Sequence, residues 1–60
     1  MEKLGLSIVE VAEQLGVSRP TVYSLLERRD HPLPCVRIGR RRIIPRRELE
    51  AWLQEEAGQR

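Results

Sequence analysis

Nine arginines fall between positions 19 and 47 of this chain: Arg19, Arg28, Arg29, Arg37, Arg40, Arg41, Arg42, Arg46 and Arg47. A guanidinium is a planar fork of donors that matches phosphate oxygens and the acceptor edge of guanine, whereas a lysine offers only a point charge. All but one of the eleven basic residues are arginine. Ser18, Thr21, Tyr23 and Ser24 add hydroxyls among them. Other chemistries lack their residues. His31 is the sole histidine and precedes Pro32, so Ser7, Ser18 and Ser24 have no base to make them nucleophiles. His31 and Cys35 are two ligands where zinc takes four. There is no phosphate-cradling glycine loop and no tuned carboxylate pair. Neither a cofactor nor a small-molecule substrate is expected.

Charge is partitioned along the chain. Residues 1–18 carry one lysine against three glutamates, 19–47 nine arginines against Glu27 and Asp30, and 48–60 one arginine against four glutamates, giving −2, +7 and −3 within a net +2. A solvated charged surface is the bland account; a face for a polyanion, above all nucleic acid, is the sharper one. Sixty residues and 7.0 kDa are enough for a single domain over 1–60, ordered from about 4 to 57, with no walled pocket for a substrate. An enzyme is therefore not expected. No apolar run approaches the ~18 residues of a membrane span. The amphipathic start shows no targeting segment, and one cysteine makes no internal disulfide, which points to the cytoplasm.

The elements that must carry these arginines are legible. Ser7 with Glu10 three residues later forms a capping box, and Ile8, Val11, Ala12 and Leu15 fall on one stripe, predicting a helix over about 8–15. Gly16 stops it. Ser18 caps a second helix, about 19–29, with Pro20 tolerated in its first turn and Val22, Leu25 and Leu26 facing inward. Asp30-His31-Pro32-Leu33-Pro34 is a stiff connection with Leu33 buried. Val36 and Ile38 alternate with Arg37, Gly39-Arg40-Arg41 is a turn, and Arg42-Ile43-Ile44 returns as a strand ended by Pro45. Such a hairpin is marginal alone, so its apolar face is expected to pack on the helices, with Ile43 partly exposed. Pro45 opens a third helix, with Leu49, Trp52 and Leu53 as its buried stripe and Gly58 at its end; residues 59–60 are expected to fray.

The first two helices and their junction have the layout of a helix-turn-helix. Ala12 is small where the second helix crosses, Gly16 supplies the tight turn, and Val17 is expected to plug the turn into the core. A plain helical hairpin would share part of this pattern. Four stretches in order are more specific: Leu6-Ser7-Ile8-Val9-Glu10-Val11-Ala12; Leu15-Gly16-Val17-Ser18-Arg19 with Thr21-Val22-Tyr23; Val36-Arg37-Ile38-Gly39-Arg40-Arg41; and Ile44-Pro45-Arg46 with Leu49-Glu50-Ala51-Trp52-Leu53. Together, over about residues 4–54, they resemble the excisionase-type helix-turn-helix domains, which share a winged-helix fold with the N-terminal domain of MerR-type regulators. The chain departs from these domains at Arg42 and Ile43, where members often carry an aromatic and then a polar residue.

The resemblance implies a mainly α fold with a small β-hairpin: helix, helix, wing, helix. It implies that the second helix enters the major groove of double-stranded DNA and that the hairpin touches the adjacent minor groove or backbone. The residues themselves nominate Ser18, Arg19, Thr21, Tyr23, Ser24 and Arg28 on the second helix, and Arg37, Gly39, Arg40, Arg41 and Arg42 on the wing. Arg46 and Arg47 are weaker candidates. The expected function is sequence-specific duplex binding as an excisionase-type directionality or architectural factor, acting with an integrase or recombinase or with further copies of itself along DNA. A small transcriptional regulator of the same fold is the alternative within DNA binding; a protein–protein adaptor without DNA binding is the alternative from another class.

Overall fold

The computed structural model describes residues 3–58; the fraying expected of residues 59–60 lies outside them. The elements run β1 (Gly5–Leu6), α1 (Ile8–Leu15), α2 (Arg19–Leu26), β2 (Val36–Ile38), β3 (Arg41–Pro45) and α3 (Arg46–Gly58). The three strands form one antiparallel sheet in the order β1-β3-β2. This is a winged helix-turn-helix.

The sequence signals act locally as expected in α1. The Ser7 hydroxyl accepts from the Glu10 amide at 3.2 Å and the Glu10 carboxylate accepts from the Ser7 amide at 2.9 Å. Gly16 ends the helix at φ 74°, a left-handed conformation that disfavours a side chain. At α2 the Ser18 hydroxyl accepts from the Thr21 amide. The helix stops at Leu26, three residues short of the expected 29. Its last groups are claimed by other partners: Glu27 N–H is shared between the carbonyls of Tyr23 and Ser24, and Leu33 N–H donates to Leu25 O at 3.0 Å. Burying Leu33 thus draws the 30–34 connection back across the helix end.

Strand β1 has no counterpart in the sequence reading, because two residues carry no period. It forms because Leu6 lies opposite Ile44, and both are almost completely buried. Gly5 lies opposite Pro45, and a Cβ there would collide with Cγ2 of Ile43. Ile43 lies across the bare Gly5 backbone and is half-buried. The pairing continues beyond the strand, with Arg46 N–H donating to Leu4 O and Arg46 Nε to Lys3 O, both at 2.8 Å. The first of these bonds satisfies an amide that has no acceptor within α3.

The core gathers Leu6, Val11, Ala12, Val22, Leu33, Ile44, Leu49 and Trp52 from every element but β2. Three expectations are corrected. Val17 is 38% exposed, because its amide turns back to Ala12 O and leaves the side chain at the surface of the turn. Leu53 is 46% exposed, since Leu49 and Trp52 alone define the inward line of α3. The Val36–Ile38 face does not pack on the helices; these residues are 49% and 62% exposed. Side chains alternate along a strand, and Ile44 anchors β3 in the core, so Arg42 and its cross-strand partner Arg37 share the helix-side face. Val36, Ile38 and Ile43 share the outer one.

Candidate nucleic-acid interface

The interface is built from α2 and the wing. Val22 is fully buried, so helical periodicity turns Pro20 and Ser24 to the opposite, solvent side. Arg19 and Tyr23, four residues apart, lie one turn from each other on one flank. Thr21 lies on the other flank, and its hydroxyl is 2.9 Å from that of Ser18. The two hydroxyls therefore satisfy each other at the cap, while Arg19 and Ser24 stand exposed.

The wing is a tight hairpin. Ile38 lies opposite Arg41, leaving Gly39 and Arg40 as a two-residue loop. Gly39 has φ 61°, as the first loop position of a type II′ hairpin requires. That turn places Arg40 at the tip, with Arg41 at the first position of the return strand. Lower down, Arg37 lies directly opposite Arg42. Among the described residues none of Arg37, Arg40, Arg41 and Arg42 pairs with a carboxylate. Arg42 instead places its guanidinium carbon 5.7 Å from the centroid of the Tyr23 ring. The departure at position 42 thus substitutes a cation over an aromatic of α2 for an aromatic of the wing.

Two arginines of the basic block serve the fold. Arg28 Nη1 meets Glu56 Oε2 at 3.0 Å and sits 6.0 Å from the Trp52 ring, turned toward α3 and not toward the wing. Arg46 holds the lead-in to β1. Around Arg28 a small clasp fastens the connection to α3. The rings of His31 and Trp52 stack at 5.4 Å and 5°. Trp52 Nε1 donates to His31 O at 2.9 Å, and His31 Nε2 faces Trp52 O at 3.3 Å. A carbonyl only accepts, so Nε2 carries the proton in that contact. His31 adopts φ 57° to make this arrangement. Sequence reasoning foresaw the burial of Trp52 but not the clasp, for which no spacing rule exists.

The Lys3 ammonium, 2.8 Å from Glu10, and the Ser7 amide hold the Glu10 carboxyl well below its usual 4.5, at about 2. Among the described residues no group of three or more His, Cys, Asp or Glu is placed to hold a metal ion. No helix among them is long and apolar enough to cross a membrane.

Capped helices meeting at Gly16, followed by a hairpin that returns to the core through Ile44, form the helix-turn-helix and its wing. A family model described as a helix-turn-helix domain matches residues 6–57. The chain belongs to the helix-turn-helix domain family. The match bears out the excisionase-type resemblance as a family assignment and supports DNA binding through the helix-turn-helix. Domains of this family are generally non-enzymatic. No curated protein and no solved structure matches the chain at a significant level.

Proposed function

We propose that this domain binds double-stranded DNA sequence-specifically, with α2 in the major groove and the wing on the adjacent minor groove or backbone. Arg19 reads a base edge, with Ser18, Thr21, Tyr23 and Ser24 on bases or phosphates. Gly39 lets the hairpin turn tightly enough for Arg40 and Arg41 to enter a narrow, strongly negative groove. Arg37 and Arg42 take phosphates, and Arg28 joins them only if it releases Glu56. The observation that carries the reading is the wing's set of arginines, which among the described residues have no carboxylate partner, beside a capped helix with a polar outer face.

The role that fits is an excisionase-type directionality or architectural factor. One module of this size has a small footprint, so specific affinity would come from several copies along DNA or from a recombinase partner. With roughly 4–6 phosphates neutralised, log K falls with log[salt] at a slope of about −4 to −5. The test is a titration of isotope-labelled protein with a random duplex and then with DNA from its own locus. Shifts at Arg19 and Gly39 that weaken with salt support the reading. No duplex binding at low salt, with partner-protein binding intact after Arg40→Ala and Arg41→Ala, replaces it with the adaptor.

A further inference from the structure

We propose that Tyr23, Arg37 and Arg42 form one seat for a single backbone phosphate of the duplex, at the seam between α2 and the wing. The proposal rests on the duplex-binding reading above and adds that these three side chains act as a unit.

The first observation is the position of Arg42, held 5.7 Å over a Tyr23 ring that is itself 44% exposed. An arginine on an exposed strand normally loses much rotamer freedom when it binds; one already drawn to an aromatic face has lost part of it in advance. The attraction uses the cation's charge, and among the described residues no carboxylate takes its N–H donors. The second observation is independent of the ring. Arg37 lies directly opposite Arg42, on the same face of the hairpin. Like charges opposite one another across strands disfavour the pairing, and among the described residues neither arginine has an acid to offset it. An anion between the two guanidiniums removes that repulsion.

The ligand's chemistry follows from the setting. A phosphodiester has two non-bridging oxygens, one for each guanidinium, and either can also accept from the Tyr23 hydroxyl. All three side chains are exposed, so the seam does not enclose a free ion; a polymer must carry the phosphate there. Tyr23 shares its flank with Arg19, one turn away, so a phosphate seated here fixes the helix beside the base that Arg19 reads. Phosphate contacts set register in this way without reading sequence themselves.

A double-mutant cycle with a methylphosphonate scan tests the seat. The probe is a short duplex selected by the wild-type protein from a random-sequence pool. Tyr23→Leu and Arg42→Met are each expected to lower affinity about tenfold, and the double variant by far less than the product of the two. Neutralising one particular phosphate should cost the wild type about tenfold and cost Arg42→Met and Arg37→Met almost nothing. Tyr23→Phe keeps the ring beneath Arg42 and should lose less than Tyr23→Leu. Circular dichroism confirms that each variant folds. Effects that multiply, or a scan in which Arg37→Met and Arg42→Met lose different phosphates, overturn the seat while leaving duplex binding standing. Saturation of the three residues by inorganic phosphate alone also overturns it, as a free-anion site. Failure of the wild type to bind any duplex at low salt overturns both this inference and the function on which it rests.

Discussion

Arginine does opposite work at the two sides of this molecule. Arg28 and Arg46 are half-buried and spend their donors on the protein: Arg28 on Glu56, and Arg46 on the Lys3 carbonyl. The four wing arginines are exposed, and none meets a carboxylate among the described residues. One set fastens chain segments distant in sequence; the other is held out on a hairpin that contributes only Ile44 to the core. A run of like residues is therefore not a single surface. Which arginine is available depends on whether an acid or an unpaired carbonyl lies within reach of it after folding.

Substitutions on the two sides should separate accordingly. The largest effect belongs to the fastened side. Trp52→Ala removes the buried ring and its stack on His31 and should cost about 3–5 kcal/mol, a large part of the roughly 3–9 kcal/mol expected for a domain of this length. Thermal melting followed by circular dichroism reads it; a small drop in Tm would mean that α3 is held by Leu49 alone. Gly5→Ala comes next, at about 1–3 kcal/mol, through its collision with Ile43. Loss of amide protection at Leu6 and Ile44 would show that the sheet had opened.

On the open side, Arg40→Ala combined with Arg41→Ala should change stability by no more than about 0.5 kcal/mol. The same pair should make the salt slope of duplex binding shallower by about 2. An unchanged slope would break the comparison from the wing side. Arg28→Ala is expected to do the reverse, lowering stability by up to about 1 kcal/mol and leaving the slope unchanged. A shallower slope would return Arg28 to the DNA-contacting set. The smallest effect is one of pH. Because Glu10 is held down to about 2 when folded, its contribution is complete above the ordinary carboxylate range near 4.5 and is lost as the pH falls toward 2. The protection factor of the Ser7 amide, taken relative to intrinsic exchange at each pH, should fall between those values in the wild type and show no such transition in Glu10→Gln.

Most of the fold was legible because its signals are local. The Ser7–Glu10 box and Gly16 gave α1 its observed bounds, and the Gly39 turn placed the hairpin. Where contacts between distant segments decide, local signals do not suffice. Helix α2 ends early because Leu33 reaches back to Leu25, eight positions away. Strand β1 exists because Leu6 meets Ile44. Hydrophobicity along the hairpin favours burying Val36 and Ile38; the register to β1 instead puts Arg37 and Arg42 on the helix side with Ile44, where both stay exposed. The candidate site was legible as residue types. The contacts that divide those types, Arg42 with Tyr23 and Arg28 with Glu56, join positions too far apart for periodicity to relate.

The stack of His31 on Trp52 also bears on how the molecule can be observed. Trp52 is the sole tryptophan, so all indole emission comes from one ring, and that ring is packed against an imidazole and a carbonyl. None of the clasp's stacking, hydrogen-bond or ion-pair contacts involves a wing arginine. Fluorescence therefore reports the docking of the last helix without a label, while helical dichroism reports all three helices together. A ligand that changes the second signal and leaves the first untouched has acted on the helices without loosening the clasp.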